Sequence, residues 1–191
     1  MKPKGRKKYN DSWMYIFLLS TIVILADSLK TYTFNIKDIA ITFSIFLLPV
    51  IYFVSSYITK KYGYKRGISS IIISGISLIV FLLLMNFAIG RNMSLSSISG
   101  ELCGYLISQV VCITIYKFLL NNTTSPHILV FLNYVFSLIV YYMVYTLIHL
   151  DMIILDSFWV SYFTVLGIQS VMCIVITIID KNIKVGISKD D

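Results

Sequence analysis

The sequence predicts an all-α fold, a polytopic membrane bundle of six transmembrane helices, and three observations carry that expectation. Apolar residues make up 58% of the 191 positions, mean hydropathy is +0.84, and charged residues are only 13%, against roughly 25% in soluble domains. The apolar residues gather into six runs, the first of 14 residues and the other five of 20 to 23, against the roughly 20 a helix needs to cross a hydrocarbon core. Lysines and arginines fall between those runs, concentrated in alternate loops. Spans and short connections use up the length, so the expectation is one membrane domain over residues 1–191 with no soluble domain beside it.

The first run, from Trp13 to Ala26, follows a basic segment carrying Lys2, Lys4, Arg6, Lys7 and Lys8. A signal peptide has similar flanks, but no Ala-x-Ala cleavage site follows, so residues 13–26 read as span one. Spans two to six are predicted at 39–58, 68–89, 98–120, 128–148 and 158–179. Basic residues resist translocation, so loop charge sets direction. Thirteen lysines and arginines lie on the side of both termini, including Lys60, Lys61, Lys65, Arg66 and Lys117, and three on the other, namely Lys30, Lys37 and Arg91. That bias predicts an N-in, C-in series of hairpins in the cell inner (plasma) membrane. Tyr9, Trp13, Tyr15, Tyr57, Tyr62, Tyr64, Tyr116 and Trp159 lie near the predicted boundaries, as an interfacial aromatic belt does.

Net charge of +7 could signal nucleic acid, but the cations sit outside the apolar runs rather than on a soluble face, so lipid bilayer and not nucleic acid is the expected partner. Cys103, Cys112 and Cys173 all fall inside spans without C-x-x-C spacing or a neighbouring His, and read as small packing residues rather than metal ligands. Phosphate loops, H-E-x-x-H, G-x-S-x-G and paired intramembrane acids are absent from the runs. The expectation is therefore no catalytic residue, no metal and no cofactor. The Asn121–Thr124 tract matches a glycosylation acceptor but falls on the predicted cytoplasmic side, in a loop closed by Pro126.

Polar side chains within spans need internal partners, because hydrocarbon offers none. Span four aligns Glu101, Tyr105, Ser108, Gln109 and Cys112 at helical spacing. Glu101 is the one carboxylate inside an apolar run rather than at its end, and an intramembrane acid is a functional candidate by default. The competing reading is that Glu101, one turn from the outer boundary, reaches water there. A second face of the same span carries Ser96, Gly100, Gly104 and Ser108 every four residues, a small stripe that lets helices approach closely, with Ser70, Ser74 and Ser77 of span three as its expected partner. Span five presents Asn133, Ser137, Tyr141, Tyr145 and His149, a tyrosine-rich surface suited to a planar ligand or to ordinary interhelical contact. Span six adds Gln169, Cys173 and Thr177. Span two adds Tyr52, Ser56 and Pro49, the last expected to kink its helix.

Two segments resemble a known family. Leu48-Pro49-Val50-Ile51-Tyr52-Phe53-Val54-Ser55-Ser56-Tyr57-Ile58-Thr59-Lys60-Lys61-Tyr62-Gly63, followed by Lys65 and Arg66, is similar to the second span and basic loop of the queuosine precursor transporter family, also called vitamin uptake transporters. Tyr105-Leu106-Ile107-Ser108-Gln109 with the later Tyr116 resembles its fourth span. The likeness covers about a third of the chain, and Ser56 and Cys112 stand where the family commonly has Asp. The resemblance implies uptake of a 7-deazaguanine base such as preQ0 or preQ1, or of a similar vitamin-like compound.

The reading expected from the sequence is thus a transporter for a small-molecule substrate, not an enzyme, working alone, as a homo-oligomer or within a larger uptake complex. Its substrate-binding residues are expected to be Gln109, Glu101, Tyr105, Ser108, Ser56, Tyr52, Tyr141, Tyr145 and Asn133. The alternative is a non-transporting membrane interaction protein, an immunity or assembly factor.

Overall fold

A computed structural model describes residues 4–36, 39–88, 90, 95–122, 127–148 and 156–182. Six helices follow in order: α1 (Lys4–Ser28), α2 (Leu47–Tyr62), α3 (Tyr64–Ala88), α4 (Leu95–Asn122), α5 (His127–Ile148) and α6 (Asp156–Asn182). Each belongs to a stretch of 20 to 25 residues apolar enough to cross a membrane, so the chain is a multi-pass, six-helix membrane bundle, as its composition predicts. His149, the loop residues Thr123–Pro126 and the loop cations Lys37, Arg91, Lys184 and Lys189 lie outside the described residues, as does the side chain of Ser96.

One span departs from its expected form. Residues 39–58 were expected as one helix, but Ile39–Thr42 is a strand, β2, paired antiparallel with β1 (Thr33–Ile36) so that Thr33 faces Thr42 and Phe34 faces Ile41. A 3-10 turn over Phe43–Phe46 follows, and α2 starts only at Leu47 and runs on to Tyr62. The reason is side-chain type: Tyr32, Thr33, Phe34, Ile39, Ile41 and Thr42 are aromatic or β-branched and fit a pleated surface. Period alone cannot separate such a short apolar run from a helix. Phe34 seats the hairpin on the turn, its ring 5.0 Å from Phe43 and stacked at 6.1 Å on Phe46. The expected kink at Pro49 is corrected by the same shift. Pro49 is the third residue of α2, and a first-turn N–H has no intrahelical acceptor to lose.

At its other end α2 stops on Gly63, which takes φ +91°, a region glycine enters without steric cost. Its N–H donates to the Thr59 carbonyl at 3.0 Å, and Gly67 N–H donates to Gly63 O at 3.1 Å. α3 therefore starts one residue after α2 ends.

In a bilayer, packing and hydrogen bonding rather than water exclusion hold helices together. α2 and α4 take the centre. One core joins Leu19 and Val23 of α1, Ile51, Val54 and Ile58 of α2, Ile71, Leu78 and Leu82 of α3, and Tyr105 and Ile113 of α4. A second joins Tyr52, Cys112, Tyr116, Val130, Tyr134, Leu138, Cys173 and Ile176 across α2, α4, α5 and α6. Ile72, Ile76, Val80, Leu83 and Phe87 on α3, and Trp159, Phe163, Ile174 and Ile178 on α6, point outward, faces that suit lipid contact.

The small stripe of α4 has a different partner from the one expected. A Cβ on Gly104 would lie 3.2 Å from the Tyr141 ring and 3.3 Å from its carbonyl oxygen, so Gly104 admits α5 rather than α3. α3 meets the next face of α4: Ser74 Oγ lies 2.5 Å from Tyr105 Oη, and Gly75 faces Leu106. The tyrosines decide the outcome, since a large flat ring fills a glycine notch where serine against serine would leave a gap.

Candidate functional site

The delayed start of α2 leaves room at the hairpin end of the bundle. There a cavity of about 330 Å³ is lined by Val23, Ala26 and Asp27 near the end of α1, Lys30 in the 3-10 turn that follows it, Thr42 of β2, Ser44 and Ile45 of the next turn, Leu48 and Ile51 of α2, Leu78 of α3, Glu101 and Tyr105 of α4, and Tyr141, Tyr142 and Tyr145 of α5. Its volume falls within the range of small-molecule pockets.

The charged part of the lining is a triad. Lys30 Nζ lies 2.7 Å from Glu101 Oε2 and 3.2 Å from Asp27 Oδ1. Both acids are buried, Asp27 at 2% and Glu101 at 6% exposure. Glu101 is therefore not a side chain reaching out to water; it is held inside by a lysine from the segment after α1. The aromatic part is a wall of α5 tyrosines. The Tyr141 and Tyr145 rings stack 6.3 Å apart at 15°, and Tyr142 meets Tyr141 edge-on at 5.2 Å. Tyr105 presents its ring to the cavity while its hydroxyl is engaged by Ser74. Such a site can clasp a planar ring between aromatic faces and read its polar edge with a carboxylate and an ammonium.

Four of the residues expected from the sequence, Glu101, Tyr105, Tyr141 and Tyr145, thus border one cavity. The other five do not line it and sit in a polar cluster between α2, α4 and α5. Tyr52 Oη donates to Ser137 O at 3.2 Å, Ser56 Oγ lies 3.6 Å from Cys112 Sγ, and Asn133 Nδ2 donates to Cys112 O at 3.0 Å. Ser108 Oγ returns to Tyr105 O at 3.1 Å. Gln109 is wholly buried, and among the described residues neither its Oε1 nor its Nε2 has a hydrogen-bond partner.

Further along α4, Tyr116 Oη donates to Asp180 at 3.1 Å, and Lys60 Nζ pairs with the same carboxylate at 3.3 Å. Glu101, Tyr105, Gln109, Cys112 and Tyr116 therefore form a polar column along α4, about 22 Å long at 1.5 Å per residue.

The sequence reading missed Asp27, Lys30 and Tyr142. Asp27 falls one residue past the predicted end of span one, and Lys30 served only as a topology marker. The available signal was their i, i+3 spacing, which puts both on one face, together with the need of Glu101 for a cation. Lys60 and Asp180 were missed because each ends a span, and no spacing links positions 120 residues apart.

Compared with protein-family models, with curated proteins and with solved structures, the chain finds no match.

Proposed function

We propose that the chain is a plasma-membrane transporter of a small planar molecule, with both termini in the cytoplasm. Its substrate is a 7-deazaguanine base such as preQ0 or preQ1, or a similar vitamin-like compound, as the resemblance of Leu48–Gly63 and Tyr105–Gln109 to queuosine precursor transporters implies. The observation that supports transport best is the cavity itself: an ion triad and stacked tyrosines at one end of the bundle, standing above a buried polar column. A bundle that only had to hold together would gain nothing from burying an amide without partners, since each unsatisfied polar group costs about 1–3 kcal/mol.

In this reading the ring slides between Tyr105 and the α5 tyrosines while its amino and carbonyl edge meets Glu101 and Lys30. The ligand next passes the Tyr52–Ser137 contact to reach Gln109, whose amide offers donors and acceptors at once. Ser56, Ser108 and Asn133 line that inner station.

The test is uptake of a deazaguanine base by cells unable to make it. Gln109→Leu should lower uptake roughly five- to a hundred-fold, the equivalent of about 1–3 kcal/mol, at near-normal protein abundance. Unchanged uptake would remove Gln109 from the path. Absence of uptake by the unmutated protein would favour another substrate or the interaction-protein alternative.

A further inference from the structure

Tyr116, Asp180 and Lys60 tie together the C-terminal parts of α4, α6 and α2 at the end of the bundle opposite the cavity. Tyr116 is fully buried, Asp180 is 6% exposed, and the Lys60 side chain 13%. Between this cluster and the cavity the column is closed, with Tyr52, Gln109, Cys112, Ile113 and Tyr134 all at 0% exposure. We propose that the Lys60–Asp180–Tyr116 cluster is the second gate of the path, shut in this conformation, and that it opens by parting Asp180 from its two partners. The inference rests on the transport reading of the cavity.

Chemistry favours a gate over a structural lock. Apolar side chains of similar volume often replace a buried ion pair with no loss of stability, and while loop charge accounts for Lys60, permanent closure gives no reason to bury Asp180 against it. A closure that is alternately dry and wet does. When dry, Asp180 is satisfied by an ammonium and a phenol; when wet, the acid and the lysine are hydrated, so the open state exposes no bare hydrocarbon. Lys60, partly exposed, can follow the water along its flexible stem. Asp180 rides on α6, and only 22% of the α6 apolar stretch is buried inside the protein, against 33 to 56% for the other five. Moving α6 away from α2 and α4 therefore disturbs the least packing of any helix while it separates Asp180 from both partners.

Cys112 reports the state of the gate. It sits one turn inside Tyr116 with its thiol against Ser56 and Asn133, and Cys103→Ser with Cys173→Ser leaves it as the only thiol. In that background the full chain is reconstituted in vesicles and treated from either face with a membrane-impermeant methanethiosulfonate. Cys112 should react slowly from both faces. Asp180→Asn should raise its rate at least ten-fold, and Tyr116→Phe by a smaller factor, only from the face bearing Lys60. The exchange Lys60→Asp with Asp180→Lys should restore protection. Unchanged Cys112 rates in folded single variants overturn the gate, as does acceleration from the hairpin face. Loss of folding in all three variants also overturns it, by showing the cluster to be a lock. None of these readings depends on which substrate is carried, so a failed uptake assay and a failed gate remain separate results.

Discussion

Each end of the bundle buries an acid against a lysine, yet one end is hollow and the other is packed. At the hairpin end, Asp27 and Glu101 share Lys30 beside a cavity of about 330 Å³. At the opposite end, Asp180 is covered by Tyr116 and Lys60, with Ile58 and Ile113 of the same helices at 0% exposure. The difference lies in the length of α2. It runs without interruption to Tyr62 at the packed end but begins only at Leu47 at the other, and a thin hairpin with a 3-10 turn replaces the helical turns that would have filled the space. The same pair of chemical groups therefore stands in two settings, because backbone geometry decides whether a cavity lies beside it.

The bluntest way to break this comparison is to reverse its sides. With thirteen cations on the side of the termini, reporters fused after Leu120 and after Ile179 should both act as cytoplasmic, and one after His149 as external. That result places the hollow end outside. An external signal after Ile179 would defeat the six-span hairpin series.

The largest energetic contrast should come from removing each lysine. Lys60→Met leaves Asp180, 6% exposed, without its cation, and breaking a buried pair in this way costs about 3–5 kcal/mol. A large fall in the midpoint of unfolding in detergent is the expected result. Lys30→Met also leaves two carboxylates together, but the Lys30 side chain is 27% exposed against 13% for Lys60, so the attraction it supplies is the more screened of the two. The loss should be smaller, about 1–2 kcal/mol, because a pair to a more exposed lysine is worth less, while ligand uptake falls steeply. Equal destabilisation by the two substitutions would mean that the triad beside the cavity is as shielded as the packed pair, and the contrast between the ends would fail.

How far the sequence alone reaches follows the same division. Six spans were legible because about 20 apolar residues in a row admit few readings, and Glu101 stood out because a charge inside such a run has few neutral explanations. Tyr105, Tyr141 and Tyr145 were legible as faces, since helical period survives without knowledge of neighbours. Hidden were the relations between helices. Gly104 looked like a partner for the serines of α3, yet it receives Tyr141, because a stripe records how closely a helix can be approached but not by which one. Asp180 and Lys60 read as boundary charges until the fold brought α6 against α2. The hairpin was hidden for a local reason: Ile39–Thr42 is as apolar as a helix end, and only its β-branched content hinted at a strand.

The smallest expected effect tests the origin of the hollow end. If Pro49 were inside a continuous helix beginning at Ile39, it would break a backbone hydrogen bond and crowd the preceding turn, so replacement by Ala would relieve strain of about 3 kcal/mol. In the observed fold Pro49 occupies the first turn of α2, where the missing N–H costs nothing and the fixed φ favours the start of a helix. Pro49→Ala should therefore change stability by no more than about 0.5 kcal/mol, a small shift in the unfolding midpoint. Ligand binding should be nearly unaltered, because the hairpin is held by its own pairing and by Phe34 on Phe43 and Phe46. A gain of several kcal/mol would instead mean that α2 is a longer helix under strain, and that the space above Leu48 is filled rather than open.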